Sequence, residues 1–296
     1  MTGESSRHGS IAPIQHHLEL AALLDGRIDG YTVVDVGAHG TDEDDIYAAA
    51  LAARASRVIG FEPDAEDCAT LNTRHSPQRR YLPFAIGDGR LGNFHHCRSP
   101  LVSSLLHPDT DLVARYEGLA EPCEIISVSP IETRRLDDTV EVESCDFLKI
   151  DVQGASLAVL QHATRLLGST AIVHAEVEFV PIYRGEATFG EVDRFMTDAG
   201  FMFHHFHGIE GRRMIAGPHI VGQRVSQMLW ADAVYMPSFS RLTTMSPQAM
   251  CRLAWTMHVV YGAVDIAMAC LVQLADDSPG LATAYHSILS RHGLLS

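Results

Sequence analysis

The chain has 296 residues, 46% of them hydrophobic and 20% charged, with a formal net charge of −15, which is material for one elaborated domain or one domain with an appendage. That negative balance argues against a phosphate-backbone partner and an anionic membrane surface, since both need clustered Lys and Arg. Cys68, Cys97, Cys123, Cys145, Cys251 and Cys270 lie far apart with no C-x-x-C pair, so no disulfide framework or zinc ribbon is indicated and a reducing, cytoplasmic setting is expected.

Residues 1–28 read as a Ser/Gly/His-rich leader, Met1 to Pro13, followed by a short helix over Ile14 to Leu24 with apolar residues at helical spacing. No cleavable apolar leader appears, and no apolar run approaches the length of a membrane span. Tyr31 to Val36 is an apolar, β-branched run of the kind found in a central parallel strand covered on both faces. Gly37 ends it, where a glycine lets the backbone pass close to a ligand above the start of a helix. Only Gly37 and Gly40 are present, with His39 between them, so the turn fits a dinucleotide fingerprint poorly. Asp35 would repel a diphosphate but suits an ammonium and a sulfonium, which points to S-adenosylmethionine. The acids Asp42, Glu43, Asp44 and Asp45 then open a helix to about Ala53, where they complement its dipole.

Arg57 to Phe61 is a second buried strand ending in Glu62-Pro63-Asp64. A carboxylate there, about twenty residues beyond the glycine turn, is placed to accept both ribose hydroxyls of an adenosine. Pro63 starts the next helix, Asp64 to Thr73, by presetting φ where no N–H is needed. Tyr81 to Ile86 reads as a third strand, and the Gly87-Asp88 turn after it either borders the adenine or is purely structural. Residues 89–140 look like an insertion over the sheet edge, with short strands at Asn93 to Cys97 and Glu124 to Val128 and a loop with a helix-like piece at Ser99 to His107. Such an insertion is a natural lid. Ser103 and Ser104 within it face ligand or cap the loop locally.

Asp146 to Ile150 is a fourth strand, ending in Asp151-Val152-Gln153-Gly154 before a helix over Ala155 to Leu167. Asp151 therefore overlooks the crevice where open α/β sheets bind ligands. Ala171 to Val177 is a fifth strand that places His174, Glu176 and Glu178 on one face. A helix over Phe189 to Ala199 and strands over Phe201 to His207 and Met228 to Met236 complete a sheet of about seven strands. From Pro247 to Leu295 the pattern is helical, with a stripe of Leu253, Met257, Val260, Val264, Ala267, Met268 and Leu271. This tail, 241–296, reads as a helical appendage to a domain over 29–240 that packs on the body or forms a homodimer.

The blocks VVDVGAHG, FEPD, AIGD, SSL, RRLDD, DFLKIDVQG, HAEVEF and QMLWADAVYM follow one another in an order and spacing that resembles the FkbM-like S-adenosylmethionine-dependent methyltransferases, from about Tyr31 to Met236. The resemblance implies an α/β class I methyltransferase fold, Rossmann-like, with a mostly parallel sheet whose last strand is antiparallel. It also implies methylation of hydroxyl groups on sugars or natural-product scaffolds. By that resemblance the cofactor contacts fall on Asp35, Gly37, Ala38, Glu62, Ile86, Gly87, Asp88 and Asp151, with His39 and Pro63 flanking them. The chain departs from the family at His39, Thr41 and Ser156, where Asn, Gly and Glu are common; the first two concern the methionine end and the third a second acid beside Asp151.

An alcohol acceptor needs its proton removed, so a general base belongs at hydrogen-bond distance. Asp151 and Glu176 rank first, because the fourth and fifth strands flank the cleft, and Glu178 and His174 follow. Glu176 and Glu178 would raise one another's pKa if both point inward. Two alternatives stand beside this reading. In one, Asp151 with His174 or Glu176 holds a hard divalent cation that activates the hydroxyl; in the other, the chain is a non-catalytic methyltransferase-fold scaffold. His95, His96, His204, His205 and His207 lie on strands of alternating direction and are read as framework, with no metal site assigned.

Overall fold

The computed structural model describes residues 14–39, 46–74, 78–217, 219–220, 222 and 224–295. The leader Met1 to Pro13, the end of the glycine turn at Gly40 and Thr41, and the acids Asp42 to Asp45 lie outside the described residues. The chain starts with α1 (Gln15–Leu23), β1 (Thr32–Val36), a 3-10 turn over Ala48–Ala52, β2 (Arg57–Phe61), α2 (Ala65–Arg74) and β3 (Arg79–Leu82). β4 (Ala85–Ile86), β5 (Leu91–Cys97), a 3-10 turn at Pro100–Val102, α3 (Thr110–Val113), β6 (Ile125–Arg134) and a 3-10 turn at Leu136–Asp138 follow. Next come β7 (Phe147–Ile150), α4 (Ser156–Gln161), α5 (Thr164–Leu167), β8 (Ile172–Glu178), α6 (Phe189–Asp198) and β9 (Phe201–Arg212). β10 (Ile215–Ala216), β11 (His219–Ile220), β12 (Gln227–Pro237), α7 (Phe239–Leu242), α8 (Pro247–Val259), α9 (Val264–Gln273) and α10 (Leu281–Arg291) complete it.

Seven strands form one sheet in the order β3-β2-β1-β7-β8-β12-β9. β1 pairs in parallel with β2 and with β7, and β7 pairs in parallel with β8. β12 runs antiparallel between β8 and β9, as the class I methyltransferase layout requires. The chain leaves β1 toward β2 on one side and returns to β7 on the other, so strand order reverses there and a crevice opens at the carboxyl ends. Both faces are covered, which is why the parallel strands read as apolar runs. Val34, Val36, Leu148, Ile150, Val173 and Ala175 pack against α4, α5 and α6 on one face. Val33, Phe147 and Ile172 pack on the other against α1, α8, α9 and α10.

Four elements differ from the sequence expectation. The strand over Tyr81 to Ile86 breaks at Pro83, which has no N–H to donate, and Ala85 and Ile86 turn away to pair with β6 in a small separate sheet. The helix over Ala155 to Leu167 divides into α4 and α5, because the Asp137 carboxylate accepts from the N–H groups of Arg165 (2.8 Å) and Leu166 (2.9 Å) and caps a new start. At the start of α2 the capping carboxylate is that of Asp64, accepting from Glu66 and Asp67 N–H groups at 2.9 and 3.0 Å, so Pro63 lies one residue ahead of the cap. In the described part of the segment after Asp45 only the 3-10 turn over Ala48–Ala52 is helical. In the tail stripe, Leu253, Met257, Ala267 and Leu271 are buried against β1, β7 and α1. No helix among the described residues is long and apolar enough to cross a membrane.

Candidate functional site

Gly37 has φ +82°, and a Cβ built on it would fall 1.8 Å from the main-chain oxygen of Asp151. Only glycine lets the tips of β1 and β7 come this close. The N–H groups of Gly37 and Ala38 both donate to the Phe61 carbonyl, at 3.0 and 2.9 Å, while the Asp151 N–H donates to the Val36 carbonyl at 2.9 Å. These bonds tie the ends of β2, β1 and β7 side by side. Glu62, Gly37 and Asp151 thereby border a single cavity, whose wall also includes His39, Pro63 and Ile86. Phe84 and Phe61 add apolar surface on the β2 side. From the 89–140 segment Phe94, Pro100, Leu101, Ser103, Ser104 and Leu105 also line it.

Glu62 is fixed by its own turn: Oε1 accepts the N–H of Asp64 at 2.8 Å. Burial pushes its carboxyl up to about 7, the Asp64 N–H pulls it down in part, and the Asp67 and Asp64 carboxylates push it further. Ligand hydroxyls that donate to this carboxylate favour its ionised form.

Four expected cofactor contacts are turned away from this cavity. Asp35 is buried, accepting from Tyr47 Oη at 2.6 Å and from Lys149 Nζ at 3.3 Å. Strand alternation puts it on the face of the tail helices, opposite to Val34 and Val36. Ala38 is packed among Cys68, Leu71 and Tyr81. Gly87 and Asp88 form a turn of the small sheet, where Asp88 Oδ1 accepts from the Arg90 N–H at 3.0 Å and Gly87 faces the Thr133 side chain.

The loop after β7 carries the polar centre of the site. Gln153 has φ +49°, an uncommon conformation for a residue with a side chain. Its Nε2 donates to Asp151 Oδ1 at 2.8 Å and to Glu176 Oε2 at 2.9 Å. Its main-chain oxygen accepts from Ser104 Oγ at 2.6 Å, which fastens the overlying segment to the loop. Ser103 Oγ accepts from the Cys97 N–H at 3.0 Å, so both serines line the cavity and brace it. Gln153 was not among the residues singled out from the sequence; the signal for it was a bulky residue directly before Gly154 in the DVQG block.

Of the four candidate bases, Asp151 alone lines the cavity. Glu176 stands behind Gln153, and burial together with the carboxylates of Asp151, Glu178 and Asp232 holds its proton far above the usual carboxylate range. Glu178 is buried away from the cavity lining, and its carboxyl is likewise raised, first by burial and then by Glu186. Glu186, which burial lifts to about 7, accepts the Tyr183 N–H at 3.1 Å. A Cβ on Gly154 would fall 2.2 Å from Glu186 Oε1, so an acid does stand beside this loop although position 156 is a serine. His174 packs beside the rings of Phe147 and Tyr261, which also contact each other, with Nδ1 3.1 Å from Tyr261 Oη and Nε2 3.4 Å from Asp232 Oδ2. Both its nitrogens therefore face groups of the fold.

A glycine-lined strand end, an acid on the next strand and an acid on the strand beside it form a pocket for a small ligand with hydroxyls and a cationic end. A family model described as the Methyltransferase FkbM domain matches residues 35–203. No curated protein matches the sequence. Among solved structures, one from Listeria monocytogenes, assigned as an S-adenosylmethionine-dependent methyltransferase, is 10% identical with a TM-score of 0.39, covering 76% of this chain and 99% of its own. The precorrin-6y C5,15-methyltransferase of Geobacter metallireducens is 10% identical with a TM-score of 0.35, over 78% of this chain and 93% of its own. The 1,6-didemethyltoxoflavin-N1-methyltransferase of Burkholderia thailandensis, solved with S-adenosylhomocysteine, is 11% identical with a TM-score of 0.35, over 76% and 79%. The family match, which spans more than half of the sequence, decides the assignment: the chain belongs to the FkbM methyltransferase domain family.

Proposed function

We propose that this chain is an S-adenosylmethionine-dependent O-methyltransferase whose acceptor is a hydroxyl of a sugar or natural-product small molecule. The observation that carries the reading is the meeting of Gly37, Glu62, Ile86 and Asp151 around one cavity at the carboxyl edge of the sheet. These residues fit the donor. Glu62 has one oxygen braced by the Asp64 N–H and the other left for ribose hydroxyls, while Phe84 and Ile86 offer apolar surface for a purine.

S-adenosylmethionine supplies, when bound, a methyl group on a sulfonium sulfur. The chain's own task is alignment and proton removal. Asp151, the candidate base turned into the cavity, accepts the proton of the acceptor hydroxyl. Glu176 keeps a proton of its own, because burial and three carboxylates oppose its ionisation, and Gln153 fixes the geometry of the two acids through one amide nitrogen. Phe94, Leu101 and Leu105 add apolar wall to the same cavity. Hydroxyl acceptors are supported by the need for such a base and by the family resemblance.

Calorimetry with S-adenosylhomocysteine tests the donor assignment. Binding is expected for the wild type, at least about tenfold weaker binding for Glu62→Ala, where one charge-assisted hydrogen bond is worth roughly 1.5–3 kcal/mol, and no heat with NAD. Silence with both S-adenosylhomocysteine and S-adenosylmethionine sinks the reading. For the acceptor, mass analysis after incubation with S-adenosylmethionine and a panel of sugars, polyols and amines should show methyl gain on alcohols; gain on amines alone removes the hydroxyl assignment. With an accepting alcohol in hand, Asp151→Asn is expected to lower kcat about a hundredfold or more, and an unchanged kcat removes Asp151 as the base.

A further inference from the structure

Outside the methyl-transfer cavity, the N-terminal helix meets the tail at a cluster of imidazoles. His16 and His17 lie in the first turn of α1, His258 lies in the last turn of α8, and His292 follows α10. His16 Nδ1 is 2.7 Å from His258 Nε2. One ring nitrogen from each of His16, His17 and His258 lies within 4.8 Å of the other two. His258 is buried, and its second nitrogen, Nδ1, is 2.8 Å from Tyr285 Oη. A proton on Nδ1 donated to that hydroxyl leaves Nε2 as a lone pair aimed at α1, the way an outer hydrogen bond fixes the tautomer of a metal-ligating histidine.

We propose that His16, His17 and His258 form a Zn²⁺ site that clips α1 to the tail, with a water as fourth ligand. The donor set selects the ion: three imidazoles without thiolate suit Zn²⁺ and its transition-metal neighbours, whereas Ca²⁺ and Mg²⁺ require oxygen cages. Zn–N bonds of about 2.0–2.1 Å in a tetrahedron put ligand nitrogens roughly 3.3 Å apart. His16 and His258 therefore separate by a few tenths of an ångström, and His17 draws in. His16 moves its proton from Nδ1 to Nε2, so binding displaces no proton. Glu19 stands alongside, its Oε1 3.0 Å from His292 Nε2 and its Oε2 held by Arg291, so its charge is already paired and the three imidazoles are the donors. No sequence spacing announces this site, since its ligands come from opposite ends of the chain.

The test uses the untagged, chelator-treated full chain. Titration with ZnCl₂ is expected to show one tight site per chain, and CoCl₂ the visible bands of a four-coordinate ion. His16→Gln and His17→Asn, both on partly exposed positions, should each weaken zinc binding more than about 100-fold, the upper end of what loss of an outer-shell group costs. Zinc should raise the Tm of the wild type and leave that of both variants unmoved, although their metal-free Tm stays near the wild-type value. The double variant His204→Gln/His205→Gln should bind zinc as the wild type does. No zinc heat in the wild type, or equal binding after both α1 substitutions, overturns the proposal.

Discussion

At Glu62 burial outweighs the single N–H of Asp64 and holds the carboxyl proton up to about 7. Ribose hydroxyls bind the ionised form, so affinity for S-adenosylhomocysteine is lost as the pH falls through about 7. Between pH 8 and pH 6 the ionised fraction drops about tenfold for such a group, and Kd should rise by about the same factor. Glu62→Gln should bind weakly and with no such slope. Calorimetry at the two pH values checks both, and equal wild-type Kd values contradict the assignment. Glu62 and Asp151 were legible as site candidates because each directly follows a buried apolar run. Asp35 misled because strand parity does not say which face carries the ligand; its partners, Tyr47 and Lys149, are set by packing at a distance. Gln153 was hidden for a related reason. Its role depends on φ +49° and on a bond from Ser104, and neither is a property of residue type.

The elements at the sheet edge carry their own consequences. Gly37→Ala drives a methyl group into the Asp151 carbonyl, since the built Cβ lies 1.8 Å from that backbone oxygen. The tips of β1 and β7 must then part, and S-adenosylhomocysteine binding should vanish while far-UV circular dichroism still reports a folded chain; retained affinity contradicts the close approach. At the end of β8, Glu178 and Glu186 crowd each other under burial, and both carboxyls are raised from their ordinary 4.5. A raised acid stabilises the fold below its unfolded value and loses that contribution as the pH rises through the folded one. The window for Glu186 is thus 4.5 to about 7. Glu178→Gln removes one charge of the pair, so its Tm relative to wild type should be higher at pH 8 than at pH 5. A difference that stays constant with pH shows that the two acids do not share their protons. The set of strands was readable from the alternation of β-branched runs with helical segments, and the mostly parallel layout came from the family resemblance. The breaks at Pro83 and between α4 and α5 were not, because the first depends on recruitment of β4 by β6 and the second on the distant Asp137 cap.

For the molecule as a whole, the question is whether the tail is an addition or a layer. Trp255 of α8 is fully buried, its Nε1 donates to the Ala50 carbonyl at 2.9 Å, and it shares one core with Leu20 and Leu24 of α1, Val33 of β1 and Phe147 of β7. The Arg252 guanidinium contacts both carboxylate oxygens of Asp146 at 3.0 Å, just ahead of β7. The sequence stripe identified the apolar face of α8 and α9 but could not name what it covers. These contacts make α1 and the tail helices the cover for one face of the sheet, without which Val33, Phe147 and Ile172 meet water. Trp255→Ala leaves a large cavity and removes the indole bond to the Ala50 carbonyl, which keeps the Ala53 N–H at 3.3 Å, a change that costs about 3–5 kcal/mol for an aromatic side chain. If the tail is a layer of the same cooperative unit, urea unfolding followed by circular dichroism and by S-adenosylhomocysteine binding should give one coincident transition, moved to lower urea in the variant. A self-sufficient sheet domain with an attached tail behaves otherwise: the variant loses helical signal first and keeps ligand binding to the wild-type midpoint. Two separated transitions would therefore make residues 241–296 an appendage, and a single shifted one makes them part of the body that holds the cleft in shape.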